Sequence, residues 1–126
     1  MARILLVDDN ESMLNQYSAD LKDEGHEVIT AANGIEALDK IQEENFDLII
    51  TDYAMPKFNG VRLVRKIRNE LKLRTPILFQ SSDMDNPDTA KFVQDAFAGL
   101  EKINVRDKGG DFRDFIDVVK KSLNQS

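Results

Sequence analysis

Five short apolar runs, each followed by an amphipathic stretch, constrain this chain more than any other feature. The runs are residues 3–7 ("RILLV"), 27–30 ("EVIT"), 47–51 ("DLIIT"), 76–80 ("PILFQ") and 103–106 ("INVR"). After each, apolar residues recur at helical spacing: Leu14, Tyr17 and Leu21; Ala37, Leu38 and Ile41; Leu63, Val64, Ile67 and Leu71; Val93, Ala96, Phe97 and Leu100; Phe112, Phe115, Ile116 and Val119. Strict alternation of strand and helix predicts parallel pairing through helical crossovers. Near-continuous apolar strands predict a sheet covered on both faces. Right-handed crossovers then leave an α/β fold with a doubly wound, five-stranded parallel sheet and helices on both faces. The polarity of residues 27–30 marks an edge strand. Gly25 is placed to close the first helix, and Asp111, after Gly109 and Gly110, to cap the last.

A length of 126 residues suits one domain spanning 1–126. With 41% hydrophobic and 32% charged residues the chain reads as globular and soluble. A net charge of −6 argues against direct nucleic-acid binding, which needs a basic footprint. The absence of cysteine excludes disulfides, thiolate metal sites and cysteine nucleophiles. No apolar stretch reaches bilayer-spanning length, and "MARILLVDD" meets two aspartates too early for a signal peptide. A cytoplasmic protein without membrane contact is expected.

In a doubly wound sheet the site lies beyond the carboxyl ends of the strands, at the switch point. Just past the runs stand Asp8 and Asp9, Asp52, Ser81 and Ser82, and Asp107 and Lys108. Three ionised carboxylates close together repel, and each raises the others' pKa unless a cation joins them. Mg²⁺ suits such oxygen ligands because it takes one or two carboxylates and otherwise keeps water or phosphate oxygens. A carboxylate can serve as a nucleophile toward phosphorus, and a hydroxyl and an ammonium can donate to phosphoryl oxygens. These residues together make a phosphoryl-accepting site.

"VDDN" after the first strand, "DYAMPKFNG" after the third and "TPILFQSS" at the fourth resemble the receiver domain of two-component response regulators, over essentially the whole chain. The resemblance implies a flavodoxin-like (βα)5 fold of the stand-alone, chemotaxis-regulator kind. It implies Asp52 as phosphoacceptor, Asp9 as direct Mg²⁺ ligand and Asp8 as a neighbour acting on the metal through water. Ala54 would lend its backbone carbonyl to the metal, and Ser81 would bind the phosphoryl group. Met55, Pro56 and Gly60 would shape the following loop.

The family's lysine at the end of the fifth strand is less plainly matched by "NVRDKGGDF". Counting back from the last helix gives Lys108; counting forward from Ala98–Gly99 gives Arg106. A compact ammonium fits the role better than a planar fork, which favours Lys108. The segment from Ser81 to Lys108 is longer than usual, within residues 81–91 or around 101–103. The aromatic residue often found on the fifth strand is replaced by Val105 or Ile103.

Taken singly, each residue has a plainer reading. Asp8 and Asp9 could cap a helix, Asp52 could form a turn, Ser81 could end a strand, and Lys108 could be a solvated charge. His26 reads as a surface residue, and Phe92, Phe97, Phe112 and Phe115 as core. The function expected is phosphoryl acceptance on Asp52 from a sensor histidine kinase or phosphotransfer protein, with signalling through a switched protein-binding surface. No small-molecule turnover is expected beyond the chain's own phosphorylation and dephosphorylation. The oligomeric expectation is a monomer or weak homodimer. The alternatives are a degenerate receiver that binds partners without phosphorylation, and an aspartyl-nucleophile phosphatase, which would want a second acid where Ala54 stands.

Overall fold

A computed structural model describes residues 1–55, 58–109 and 112–125. Five strands, β1 (Arg3–Val7), β2 (Glu27–Ala31), β3 (Leu48–Asp52), β4 (Ile77–Ser81) and β5 (Ile103–Asp107), alternate with five helices. These are α1 (Glu11–Asp23), α2 (Gly34–Glu43), α3 (Gly60–Arg65), α4 (Pro87–Ala96) and α5 (Phe112–Leu123). All strand pairs are parallel, in the order β2-β1-β3-β4-β5. The doubly wound sheet and the edge position of β2 are as the sequence predicts.

Alternation along the central strands separates the two faces. Ile4, Leu6, Leu48, Ile50 and Leu78 pack with Tyr17 and Leu21 of α1 and with Phe115, Ile116 and Val119 of α5. Leu5, Val7, Ile49, Ile77 and Phe79 pack with Ala37 and Ile41 of α2, Leu63 and Val64 of α3, and Val93 of α4.

Several boundaries differ from the sequence reading. Asp52 and Ser81 are the last residues of their strands, while Asp47 and Pro76 lie outside them. The third helix continues beyond Arg65 as a π-helical turn, Lys66–Glu70. Phe92 is 50% exposed and not core, because it lies on the outward side of α4. His26 is half-buried: its Nδ1 accepts a hydrogen bond from the Ala2 N–H at 3.1 Å, and burial lowers its pKa. Pro56, Gly110 and the expected cap Asp111 lie outside the described residues, as does the Phe112 side chain.

Four helices carry an asparagine N-cap that the sequence reading did not single out. Asn10, Asn33, Asn59 and Asn86 accept from the amides of Met13, Glu36, Arg62 and Asp88. Each such cap is worth about 1 kcal/mol over alanine. Because Asn10 caps α1, the aspartates before it are left for other work. Gly25 closes α1 as expected, at φ 90°, a left-handed conformation that favours glycine.

Candidate functional site

The sheet order reverses between β1 and β3, where Val7 pairs with Thr51. The residues that follow this pair, Asp8 and Asp52, therefore flank the switch-point crevice. Ligand oxygens of Asp8, Asp9 and Asp52 all come within 4.8 Å of one another. Asp8 is 1% exposed, Asp52 is 7% exposed, and Asp9 lies in solvent.

Lys108 enters this group from the end of β5. Its Nζ donates to Asp8 Oδ2 at 2.7 Å and lies 3.1 Å from Asp52 Oδ1. The Lys108 amide donates to the Ser81 carbonyl at 2.9 Å, which ties the lysine's backbone to the end of β4. The other Asp8 oxygen, Oδ1, accepts from the Asn10 N–H at 3.0 Å. Burial pushes the Asp52 carboxyl above the ordinary aspartate range. Lys108 pulls it down and Asp8 pushes it further up, and burial prevails. For Lys108, burial alone would lower the ammonium's pKa. Hydrogen bonding to Asp8 and the charges of Asp52 and Asp8 outweigh burial and raise it.

Arg106, the other candidate for the lysine role, turns to the opposite face of the sheet. It is 4% exposed. Its guanidinium donates to Gln80 Oε1 at 2.8 Å and to Asp114 Oδ2 at 3.0 Å, and it lies 5.2 Å above the Phe115 ring. Asn104, two residues earlier and thus on the same face, donates to Ser122 Oγ and Gln125 Oε1. The α5-facing side of β5 is therefore polar, which is why residues 103–106 lack a continuous apolar run. A charged residue at an inward strand position was the signal available in the sequence for this buried network.

Ser81 is buried at the end of β4, and its Oγ accepts from the Asp83 N–H at 3.0 Å. Asp83 in turn accepts from Thr89 Oγ1 at 2.6 Å, which links the turn over Ser81 to the first turns of α4. Of the two segments suspected of extra length, residues 81–91 run from the last residue of β4 through turns at 82–86 into α4, and residues 101–103 lead into β5 with Lys102 at φ 58°. Ala54 is exposed two residues past Asp52, and Met55 is buried.

Gly60 packs directly against the end of β3. Its amide donates to the Tyr53 carbonyl at 2.9 Å, and a Cβ there would stand 2.1 Å from the Asp52 carbonyl oxygen. Tyr53 itself packs between Phe79 and Phe92, at ring-centroid distances of 5.7 and 6.4 Å.

The donor set fits a hard divalent ion. Three carboxylates converge on one point, and among the described residues Lys108 is the cation within ion-pair distance of Asp8 and Asp52. The same geometry presents a buried carboxylate oxygen beside an ammonium at the mouth of a crevice, as nucleophilic attack on an electrophile with anionic oxygens requires.

Known proteins resemble this chain in sequence and in fold. The family model described as response regulator receiver domain matches residues 4–104. The alkaline phosphatase synthesis transcriptional regulatory protein PhoP of Bacillus subtilis is 42% identical over 76 residues, covering 60% of this chain and 31% of that protein. The autoinducer 2 sensor kinase/phosphatase LuxQ of Vibrio vulnificus is 33% identical over 104 residues, 82% of this chain but 12% of that protein. The chain thus spans under a third of either relative's length. Among solved structures, the chemotaxis protein CheY4 of Vibrio cholerae superposes with a TM-score of 0.83 at 31% identity, covering 97% of this chain and 98% of that one. The response regulator TrrA of Thermotoga maritima, solved in complex with Mg²⁺-BeF, gives 0.78 at 30% identity, with 97% and 99% covered. The fold, the acid group at the switch point and the match over residues 4–104 agree, and the chain belongs to the response regulator receiver domain family.

Proposed function

We propose that Asp52 accepts a phosphoryl group from a phosphohistidine on a sensor histidine kinase or phosphotransfer protein. The observation that carries this reading is the buried Asp52 carboxylate held 3.1 Å from Lys108 inside a three-acid group. An Asp52 carboxylate oxygen forms the new bond to phosphorus as the phosphorus–nitrogen bond breaks, and the imidazole leaves with the electron pair. The product is an acyl phosphate on Asp52. Mg²⁺, held by Asp8, Asp9, Asp52 and the Ala54 carbonyl, would neutralise charge on the phosphoryl oxygens.

Lys108, already charged and positioned, moves from the two carboxylates to the incoming phosphoryl oxygens. Ser81 leaves the Asp83 amide and donates its hydroxyl to another of those oxygens. That release loosens the turn held by Asp83 and Thr89, and so transmits the chemistry to α4. The small side chain of Ala54 leaves the acyl phosphate open to water on that side, and hydrolysis there returns Asp52 to the carboxylate with release of inorganic phosphate. The output is a protein contact in the cytoplasm, with no nucleic acid or membrane bound directly. Among the described residues no helix is long and apolar enough to cross a membrane.

Incubation with a small phosphodonor, with and without Mg²⁺, tests this reading by intact mass. One metal-dependent phosphoryl addition is the expected result. No addition by the folded chain under any condition would contradict it and favour the phosphorylation-independent binding module.

A metal titration gives a separate check. The folded Asp52 holds its proton to higher pH than the unfolded one, and the ion needs the ionised form. Because it binds the folded site and not the unfolded chain, Mg²⁺ should stabilise the fold at pH 7.5 by about 1–3 kcal/mol at ten- to a hundredfold its dissociation constant. The gain should shrink as pH falls through the raised Asp52 range, as followed by thermal melts, and a chelator should abolish it.

A further inference from the structure

Although the chain carries a net charge of −6, residues 62–74 hold six cations, Arg62, Arg65, Lys66, Arg68, Lys72 and Arg74, against one acid, Glu70. Arg62 and Arg65 are exposed on α3 and Lys66 is half-buried just beyond it. Beside α3 on the same face of the sheet, α2 exposes Glu36, Asp39 and Glu43. Among the described residues, none of these three acids has a cation within ion-pair distance, and Arg65 has no carboxylate within it. Phe58 separates the two charges. It lines a hollow of about 530 Å³ with Ile35, Glu36 and Asp39, and a second of about 280 Å³ with Arg62, Arg65 and Lys66. The ring sits against the first turn of α2, where a Cβ on Gly34 would come within 2.4 Å of it. The exposed apolar surface at this boundary is supplied by Ile35, 55% exposed, and the half-buried Phe58.

A face that is acidic on one side of an aromatic ridge and basic on the other complements itself under a two-fold rotation. We propose that the α2–α3 face is the contact of a weak homodimer whose two-fold axis runs along the groove between the two helices. Both helices follow parallel strands and start at the same edge of the sheet, so under this axis equal positions along α2 and α3 come opposite. Glu36 and Arg62 are each the third residue of their helix, and Asp39 and Arg65 each the sixth. The second copy's Arg65 therefore meets Asp39, and its Asp39 meets Arg65. An axis across the helices would instead set Asp39 on Asp39. A foreign acidic partner would satisfy the α3 half and be repelled by the α2 half. The small apolar centre and the overall negative charge keep the association weak.

Sedimentation velocity over roughly 10 μM to 1 mM, the range where micromolar association is read directly, tests the proposal. The samples are the wild type, Asp39→Arg, Arg65→Glu, an equimolar mixture of these two variants, and Lys72→Glu as a basic-residue control on the loop beyond the face. Far-UV circular dichroism confirms that each is folded. The wild type is expected to dimerise reversibly. Asp39→Arg and Arg65→Glu should each weaken self-association at least about tenfold, the order of one lost charge pair per half-interface. Their mixture should recover to within about threefold of wild type, because each heterologous pair is again opposite in sign. Lys72→Glu should behave as wild type. Asp39→Arg reduces the net negative charge, so tighter association of that variant would show that bulk repulsion governs and would overturn the assignment. A wild type that stays monomeric throughout, a Lys72→Glu loss equal to that of Arg65→Glu, or a mixture that fails to recover would also overturn it.

Discussion

A chain carrying Asp52→Asn is expected to take no phosphoryl group from any donor while keeping its fold. The asparagine amide matches the carboxylate in shape, but its lone pairs are delocalised and it offers no anionic oxygen to attack phosphorus. Lys108 keeps its 2.7 Å partner Asp8, so no buried cation is stranded. Stability should not fall at pH 7. The folded Asp52 pKa is raised, so the folded state binds more protons than the unfolded one in the window just above the ordinary aspartate value. The contribution of this group to stability therefore declines as pH rises through that window, and neutral pH is where the ionised carboxylate costs most. Replacing it should raise the melting temperature at pH 7, with the gain fading below about pH 4, where aspartate is protonated in both states. Mg²⁺ affinity should drop by at least the order of ten- to a hundredfold that loss of a ligand's outer-shell partner causes, since here a proposed ligand itself is gone. Intact mass, thermal melts at two pH values and a metal titration read these three outcomes separately. Phosphoryl addition at the wild-type level on this variant would place the acceptor elsewhere.

Gly60→Ala is the substitution expected to cost most stability. The new Cβ would lie 2.1 Å from the Asp52 carbonyl oxygen and 3.1 Å from Phe79 Cε2, both parts of the buried sheet. Neither can yield as a flexible side chain would. Either the end of β3 or the start of α3 must shift, and the 2.9 Å bond from Gly60 N–H to the Tyr53 carbonyl shifts with it. Overpacking of this kind costs about 3 kcal/mol or more, equivalent to a fall of about 10 °C or more for a domain of this size. Gly25→Ala supplies the contrast. No atom lies within 4 Å of a Cβ there, and only the φ of 90° is strained. Its cost should stay near 1 kcal/mol. Equal losses at the two positions would mean that close approach to the end of β3 is not what Gly60 provides.

The contrast between these glycines shows what the sequence could carry. Gly25 was legible because a helix-closing glycine answers to local backbone geometry alone. Gly60 was legible only through the family motif, since its neighbour Asp52 is eight residues away and meets it only after the loop folds back. The five strands were readable for the same reason as Gly25: apolar alternation and continuity are local. The acid group was readable because parallel topology carries every strand end to one edge, so Asp8, Asp9 and Asp52 had to meet once the fold class was known. The choice between Arg106 and Lys108 was harder, because it turns on which face of β5 each side chain takes. A one-residue change of register exchanges the faces. Here Arg106 shares the α5 side with Asn104, and Lys108, beyond the strand's end, reaches back over the edge to Asp8. Phe92 was misread because helical spacing marks a face but does not say how wide the buried stripe is.

Locating the phosphoryl group on the chain decides whether Asp52 carries it. The phosphorylated protein is reduced with borohydride, which attacks an acyl phosphate and spares a phosphate ester, then digested and mapped by mass spectrometry. Reduction is expected at Asp52 alone, in the peptide spanning residues 48–55, with none in the Asp52→Asn chain. A borohydride-resistant phosphate on Ser81 or Ser82, or reduction at Asp8 or Asp9, would contradict it.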